Sequence, residues 1–114
     1  MIKIYGIKNC DSVKKAIKYF KNNDLDYTLI DFKETKVEEE TIASWLKQVE
    51  ISKLFNTRGT TYRTLKLKEL NLDDTQKETW LAKENMLIKR PVIDYQEKVL
   101  VAFDESAYDA LFKK

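Results

Sequence analysis

A chain of 114 residues is the size of one ordinary domain, long enough for a sizeable core and too short for two independent ones. Its 21 basic residues are nearly matched by 19 acidic ones, so the net charge of +2 is too small to argue for nucleic acid and no direct nucleic-acid partner is expected, and 43% hydrophobic with 35% charged residues excludes a disordered chain. One cysteine and no histidine exclude Ser-His-Asp and Cys-His catalysis, an internal disulfide, and a metal site built on imidazole or several thiolates.

Residues 1–5 read as a strand, and the spacing of Val13, Ala16, Ile17 and Phe20 predicts a helix over 13–21 that ends in the turn-prone Asn22-Asn23-Asp24. Asp11 or Ser12 is the expected cap of that helix. Residues 27–32 read as a second strand, which makes a right-handed βαβ unit with parallel strands. Glu38-Glu39-Glu40 opens an amphipathic helix with Ile42, Trp45, Leu46 and Val49 on one face. A further helix is expected from near Asp73, with Gln76 at the reciprocal position of a capping box and Trp80, Leu81 and Met86-Leu87-Ile88 along its stripe. After Pro91, Val92-Ile93-Asp94 and residues 98–101 form a hairpin through Tyr95-Gln96-Glu97. A last helix carries Ala107, Tyr108, Leu111 and Phe112. This order predicts an α/β fold of the thioredoxin-like plan: a mixed sheet of about four strands in a single domain over 1–114, with an inserted helical subdomain over about 36–88.

No apolar run approaches the ~20 residues that span a bilayer, and the N-terminus lacks the apolar core of a signal peptide. With a single unpaired thiol, the expectation is a cytoplasmic protein without membrane association.

Cys10 is the one natural nucleophile. It falls where the first strand gives way to the first helix, and unpaired N–H groups at a helix start favour a thiolate. Lone cysteines are often small buried hydrophobes, but a strand-to-helix turn is not an apolar core position. Lysine does the general surface work, because only Arg58, Arg63 and Arg90 are arginines. Two lie in Asn56-Thr57-Arg58-Gly59-Thr60-Thr61-Tyr62-Arg63, and the third precedes the only proline, Pro91. A planar guanidinium fork fits an oxyanion bidentately, so Arg58 and Arg90 are the candidate anion-binding residues around Cys10. Arg63 is left outside the site, since a structural salt bridge accounts for it equally well.

Gly6-Ile7-Lys8-Asn9-Cys10-Asp11-Ser12-Val13-Lys14-Lys15-Ala16, the Asn56–Arg63 stretch and Lys89-Arg90-Pro91 together resemble the arsenate reductase family (ArsC) with its Spx relatives, and most closely its YffB-like branch. The resemblance spans essentially the whole chain. It implies a thioredoxin fold with a helical insertion, Cys10 as the catalytic residue, Arg58 and Arg90 as oxyanion binders, and a cis Pro91, with Asn9 and Pro91 supporting the site. It further implies no bound cofactor, glutathione as co-substrate and glutaredoxin as partner, acting on arsenate or a mixed disulfide. A single cysteine fits that scheme and not the variants that form an internal disulfide.

One departure stands out. The arsenate enzymes carry a third site arginine just after the last strand, where Ala102-Phe103-Asp104 stands here with Phe103 in the equivalent place. The YffB-like branch shares this lack, and a glutathione-dependent thiol reductase activity is what that branch suggests. The alternative from another class is an Spx-like transcription regulator that binds RNA polymerase. Many such regulators keep a second cysteine where Val13 stands. A relic that keeps Cys10 without turnover is the remaining option.

Overall fold

The computed structural model describes residues 1–113. In chain order the elements are β1 (Ile2–Gly6), α1 (Asp11–Asn22), β2 (Tyr27–Asp31), α2 (Glu39–Leu46), α3 (Ile51–Leu54), α4 (Thr60–Thr64), α5 (Asp74–Lys83), β3 (Val92–Tyr95), β4 (Lys98–Val101) and α6 (Glu105–Phe112). Short 3₁₀ turns at Leu67–Leu70 and Asn85–Leu87 flank α5. The chain divides into two compact units, one from residues 1–31 with those from 90 onward, the other from residues 32–89.

The first unit is built on a four-stranded mixed sheet of order β2-β1-β3-β4. β1 and β2 run parallel from Ile2 opposite Tyr27 to Gly6 opposite Asp31, as a βαβ unit requires. β3 is antiparallel to β1, with Tyr5 opposite Val92, and forms a hairpin with β4. Gln96 and Glu97 both take positive φ, 46° and 64°, which is the two-residue turn whose twist matches paired strands. The sheet follows the expected thioredoxin-like plan. Alternation along β1 sends Ile2 and Ile4 into one core cluster with Ala16, Tyr19 and Phe20 of α1, Ile93 of β3 and Tyr108 of α6. Phe20 stacks on Tyr108 at 5.7 Å, and Tyr19 meets Tyr108 edge-on at 5.3 Å. Such pairs add ~0.5–1.5 kcal/mol each beyond area burial, so they pin α1 to α6.

The cap of α1 differs from the sequence expectation. Cys10 itself holds the N-cap position with extended φ −141° and ψ 126°, and Asp11 and Ser12 lie inside the first turn. The helix starts two residues early, and its first hydrogen bond is already closed by Lys14 N onto the Cys10 carbonyl at 2.9 Å.

The second unit is helical. Ile42 and Trp45 of α2 are buried, and the helix ends at Leu46, so Val49 lies beyond its stripe. At α5 the reciprocal cap is present: Asp73 Oδ1 accepts from Gln76 N at 2.8 Å, and Gln76 Oε1 accepts from Asp73 N at 2.9 Å. α5 stops at Lys83, so Met86-Leu87-Ile88 continues outside it, through the 3₁₀ turn. Buried Asn85 stands in for a strand partner: its Oδ1 accepts from Val37 N at 2.8 Å, and its Nδ2 donates to the carbonyls of Val37 (3.1 Å) and Leu81 (2.9 Å). α3, α4 and the Leu67–Leu70 turn have no counterpart in the sequence reading, since elements of four or five residues show no helical period.

Candidate active site

The cysteine turn is shaped by close approach of backbone to side chain. β1 ends at Gly6, where an added Cβ would lie 2.6 Å from Val13 Cγ2. The missing side chain lets the end of β1 sit against the first turn of α1. Ile7-Lys8-Asn9 then leads to Cys10, which is partly exposed, while Asn9 is exposed. The Cys10 carbonyl accepts the first helical hydrogen bond, from Lys14 N at 2.9 Å, and its side chain makes no capping bond. The sulfur therefore stays available at a helix end that presents free N–H groups.

Asp31 supports this turn, and the sequence reading had not singled it out. It closes β2 opposite Gly6, is only 7% exposed, and its Oδ2 accepts from Lys8 N at 3.3 Å. The one signal available was a carboxylate ending an otherwise apolar strand. A buried carboxylate is retained where its hydrogen bonds hold something in place, and here that is the loop leading to the nucleophile.

Arg90 and Pro91 enter the same end of the same sheet. Because Tyr5 pairs with Val92 in antiparallel register, the residues before β3 lie beside the end of β1 that leads to Cys10. The Arg90–Pro91 bond is cis and Pro91 is buried. Its carbonyl accepts from Ala102 N at 2.8 Å, which ties it to the end of β4. Arg90 is partly buried. Its Nε lies out of solvent without a hydrogen-bond partner, while the residue is engaged elsewhere. Sheet topology thus brings Asn9, Cys10, Arg90 and Pro91 to one end of the first unit.

Arg58 belongs to the second unit, on a loop held from both sides. Asn56 Oδ1 accepts from Arg58 N at 3.1 Å, and Arg63 Nη1 donates to the Arg58 carbonyl at 3.0 Å. An added Cβ at Gly59 would lie 2.8 Å from Asn56 Nδ2, so a side chain there would disturb the same turn. Asn56 N in turn donates to the Leu87 carbonyl at 2.8 Å, beside the Phe55–Ile88 bridge. The Arg58 side chain is exposed on this braced backbone. Arg63, expected to be structural, fixes the peptide of Arg58 by a hydrogen bond to its carbonyl.

Residues 5–111 match the model of the ArsC family. The chain belongs to that family. A protein of Haemophilus influenzae is 38% identical over 113 residues, 98% of this chain and 99% of its own. The solved structure of a protein named YffB superposes with a TM-score of 0.89 at 30% identity, covering 96% of this chain and 97% of that one, which supports the YffB-like branch. An arsenate reductase (ArsC) related protein from Brucella melitensis is 36% identical with a TM-score of 0.74, over 99% of this chain and 95% of its own. A glutaredoxin from Archaeoglobus fulgidus, at 12% identity and a TM-score of 0.50, shares the fold alone. This ArsC-family protein is therefore related to arsenate reductases and has a thioredoxin-like fold. Among the described residues, no helix is long and apolar enough to cross a membrane.

Proposed function

We propose that this ArsC-family chain is a thiol-dependent oxidoreductase in which Cys10 is the nucleophile and glutathione, recycled through glutaredoxin, supplies the electrons. The observation that carries the reading is the placement of the single cysteine. Cys10 stands at the N-cap of α1, partly exposed, with its sulfur free of capping bonds, at the sheet end that also receives Arg90 and Pro91. Arg90 binds the anionic part of the substrate, Asn9 and Pro91 shape the rim, and Arg58, whose segment matches the family motif, is the second anion-binding residue that the resemblance implies. Asp31 holds the loop that presents the sulfur.

The substrate is arsenate or another oxidised, thiol-reactive species such as a mixed disulfide. With a disulfide, the Cys10 thiolate attacks one sulfur and the other leaves as a thiolate that takes up the proton. Glutathione then attacks the mixed disulfide and releases Cys10. With arsenate, the Cys10 sulfur displaces one oxygen as water. Attack of glutathione on that sulfur then sends the S–As electron pair to arsenic. Arsenic falls from the pentavalent to the trivalent state, and the two thiols end as one disulfide for glutaredoxin to reduce.

The test is turnover with glutathione and glutaredoxin against arsenate and against glutathionylated peptides, with Cys10→Ser as the blank. Cysteine-dependent turnover of either substrate is the expected result. Equal rates for the chain and its Cys10→Ser variant on both would refute the reading.

A further inference from the structure

The exposed face of α1 carries a stripe of positive charge that begins one turn from Cys10. Lys14, Lys15, Lys18 and Lys21 recur at spacings of three and four residues, and all four are exposed. Asp11, beside Lys14 and Lys15, is the only carboxylate on the helix. Among the described residues none of these four lysines enters an ion pair. Like charges at this spacing destabilise a helix, and Lys14 and Lys15 also lie in its N-terminal half, where the macrodipole disfavours cations. A surface that works against its own helix, with no ion pair to these lysines among the described residues, is the kind of local conflict that marks a functional face.

A groove of about 290 Å³ continues this face, lined by Lys15, Lys18, Asn22 and Asn23 on one side and by Phe103 and Glu105 on the other. Glu105 is the one acid among those lining residues. The nearby Asp109 is already engaged, accepting from Tyr19 Oη at 2.7 Å and pairing with Lys113 at 3.4 Å. Among the charged groups lining the groove, ammonium groups therefore outnumber carboxylates.

We propose that this face docks an acidic protein surface and so presents the partner's disulfide to Cys10. The inference rests on Cys10 being the nucleophile. A protein fits better than a nucleic acid. The stripe is short, about 10 Å at the helical rise. It also has no arginine to fork onto a phosphate.

The test uses two short peptides of equal length, one rich in glutamate and one in glutamine, each with a cysteine activated as its 2-pyridyl disulfide. Cys10 attacks the peptide sulfur, a new disulfide forms, and pyridine-2-thione leaves with the electron pair and the thiol proton, so its absorbance reads the rate. At low ionic strength the acidic peptide should react about tenfold faster than the neutral one, and the advantage should largely vanish at about 0.5 M salt. Lys15→Gln/Lys18→Gln/Lys21→Gln should lose the advantage and keep the neutral-peptide rate. Equal rates in the unmodified chain, or an advantage that survives the triple substitution, would overturn the proposal. So would an oligothymidylate that blocks the reaction at far lower charge concentration than an unactivated glutamate-rich peptide, since the face would then suit nucleic acid. If the neutral peptide fails to react with Cys10 at all, it is the nucleophile reading that falls, and the two failures are thereby told apart.

Discussion

Replacing Gly6 by alanine tests whether the contact between β1 and α1 governs both stability and the cysteine. The new Cβ would lie 2.6 Å from Val13 Cγ2, about 1 Å inside the ordinary carbon–carbon separation. Val13 is fully buried and β-branched, so its one favoured helical rotamer leaves little room to yield. Overpacking of this kind costs ~1–3 kcal/mol. At about 4–6 °C per kcal/mol for a chain of this size, Tm should fall by roughly 4–18 °C. In a Val13→Ala background the nearest remaining atom is the residue-13 Cβ at 3.8 Å, an ordinary contact. There the same substitution meets no clash, and Gly6 does not sit at positive φ. The lost freedom of the unfolded chain then favours alanine by ~0.4–1 kcal/mol. The effect of Gly6→Ala should therefore change sign between backgrounds, with a coupling of about 1.5–4 kcal/mol in a double-mutant cycle. Urea midpoints at constant slope measure it, and the rate of Cys10 with a 2-pyridyl disulfide reports whether α1 has shifted. An equal cost in both backgrounds would refute the packing argument.

Asp31→Ala should change the alkylation rate of Cys10 severalfold while Asp31→Asn, which keeps an acceptor for Lys8 N, stays within about twofold. Equal effects would mean that charge, not the loop contact, matters. Asn85→Leu strands the Val37 N–H and two carbonyls in the interior and should cost about 2–4 kcal/mol by urea denaturation. A loss below ~1 kcal/mol would contradict that bonding pattern. Tyr19 is pushed up to about 12 by burial and by its hydrogen bond to Asp109, so its contribution is complete below pH 10 and is lost as pH rises toward 12. Asp109 is held below 3.8, chiefly by that same hydrogen bond, and its contribution is lost as pH falls below that value. The stability difference between the chain and Tyr19→Phe should therefore shrink at both extremes, and a difference independent of pH would remove the pair from the account. Sulfate should slow alkylation of Cys10, Arg90→Ala or Arg58→Ala should abolish that protection, and lysine at either position should restore it only in part. Protection unchanged in both alanine variants would exclude these arginines.

The parts of the fold that were legible in the sequence are those decided by nearby residues. Asp73 and Gln76 satisfy each other's backbone, so the start of α5 could be read from two side chains. The hairpin could be read from its length, although neither Gln96 nor Glu97 advertises the positive φ it adopts. Residues 47–72 were opaque because their order comes from features without a sequence period: the Phe55–Ile88 bridge to a distant segment, the Phe55–Tyr62 ring contact at 5.9 Å, and left-handed turns at Lys66 and Asn71. The cap of α1 was misplaced for a related reason. Cap preference ranks Asp11 and Ser12 above a cysteine, but the approach of Gly6 to Val13 decides where the helix begins. In the site, Cys10, Arg90 and Pro91 stood out by rarity of type. Asp31 did not, because its value depends on the register that sets it opposite Gly6.

The segment after β4 joins Pro91 to α6. In the arsenate enzymes that the chain resembles, this is where a third arginine meets the substrate. Here each residue of the segment has structural work. Ala102, at φ 69°, donates from its N to the Pro91 carbonyl and accepts at its own carbonyl from Tyr108 Oη at 3.0 Å. Phe103 packs its ring against Tyr108, and Asp104 Oδ1 accepts from Ala107 N at 3.2 Å to cap α6. The segment clamps Pro91 to α6 and adds no positive charge. An oxyanion in the proposed site would then lack the third guanidinium. Positive charge near Cys10 lies along α1, where Lys14, Lys15, Lys18 and Lys21 face solvent. If the docking proposal holds, positive charge along α1 rather than a third arginine at Cys10 would favour a protein that delivers a disulfide over a small, highly charged anion.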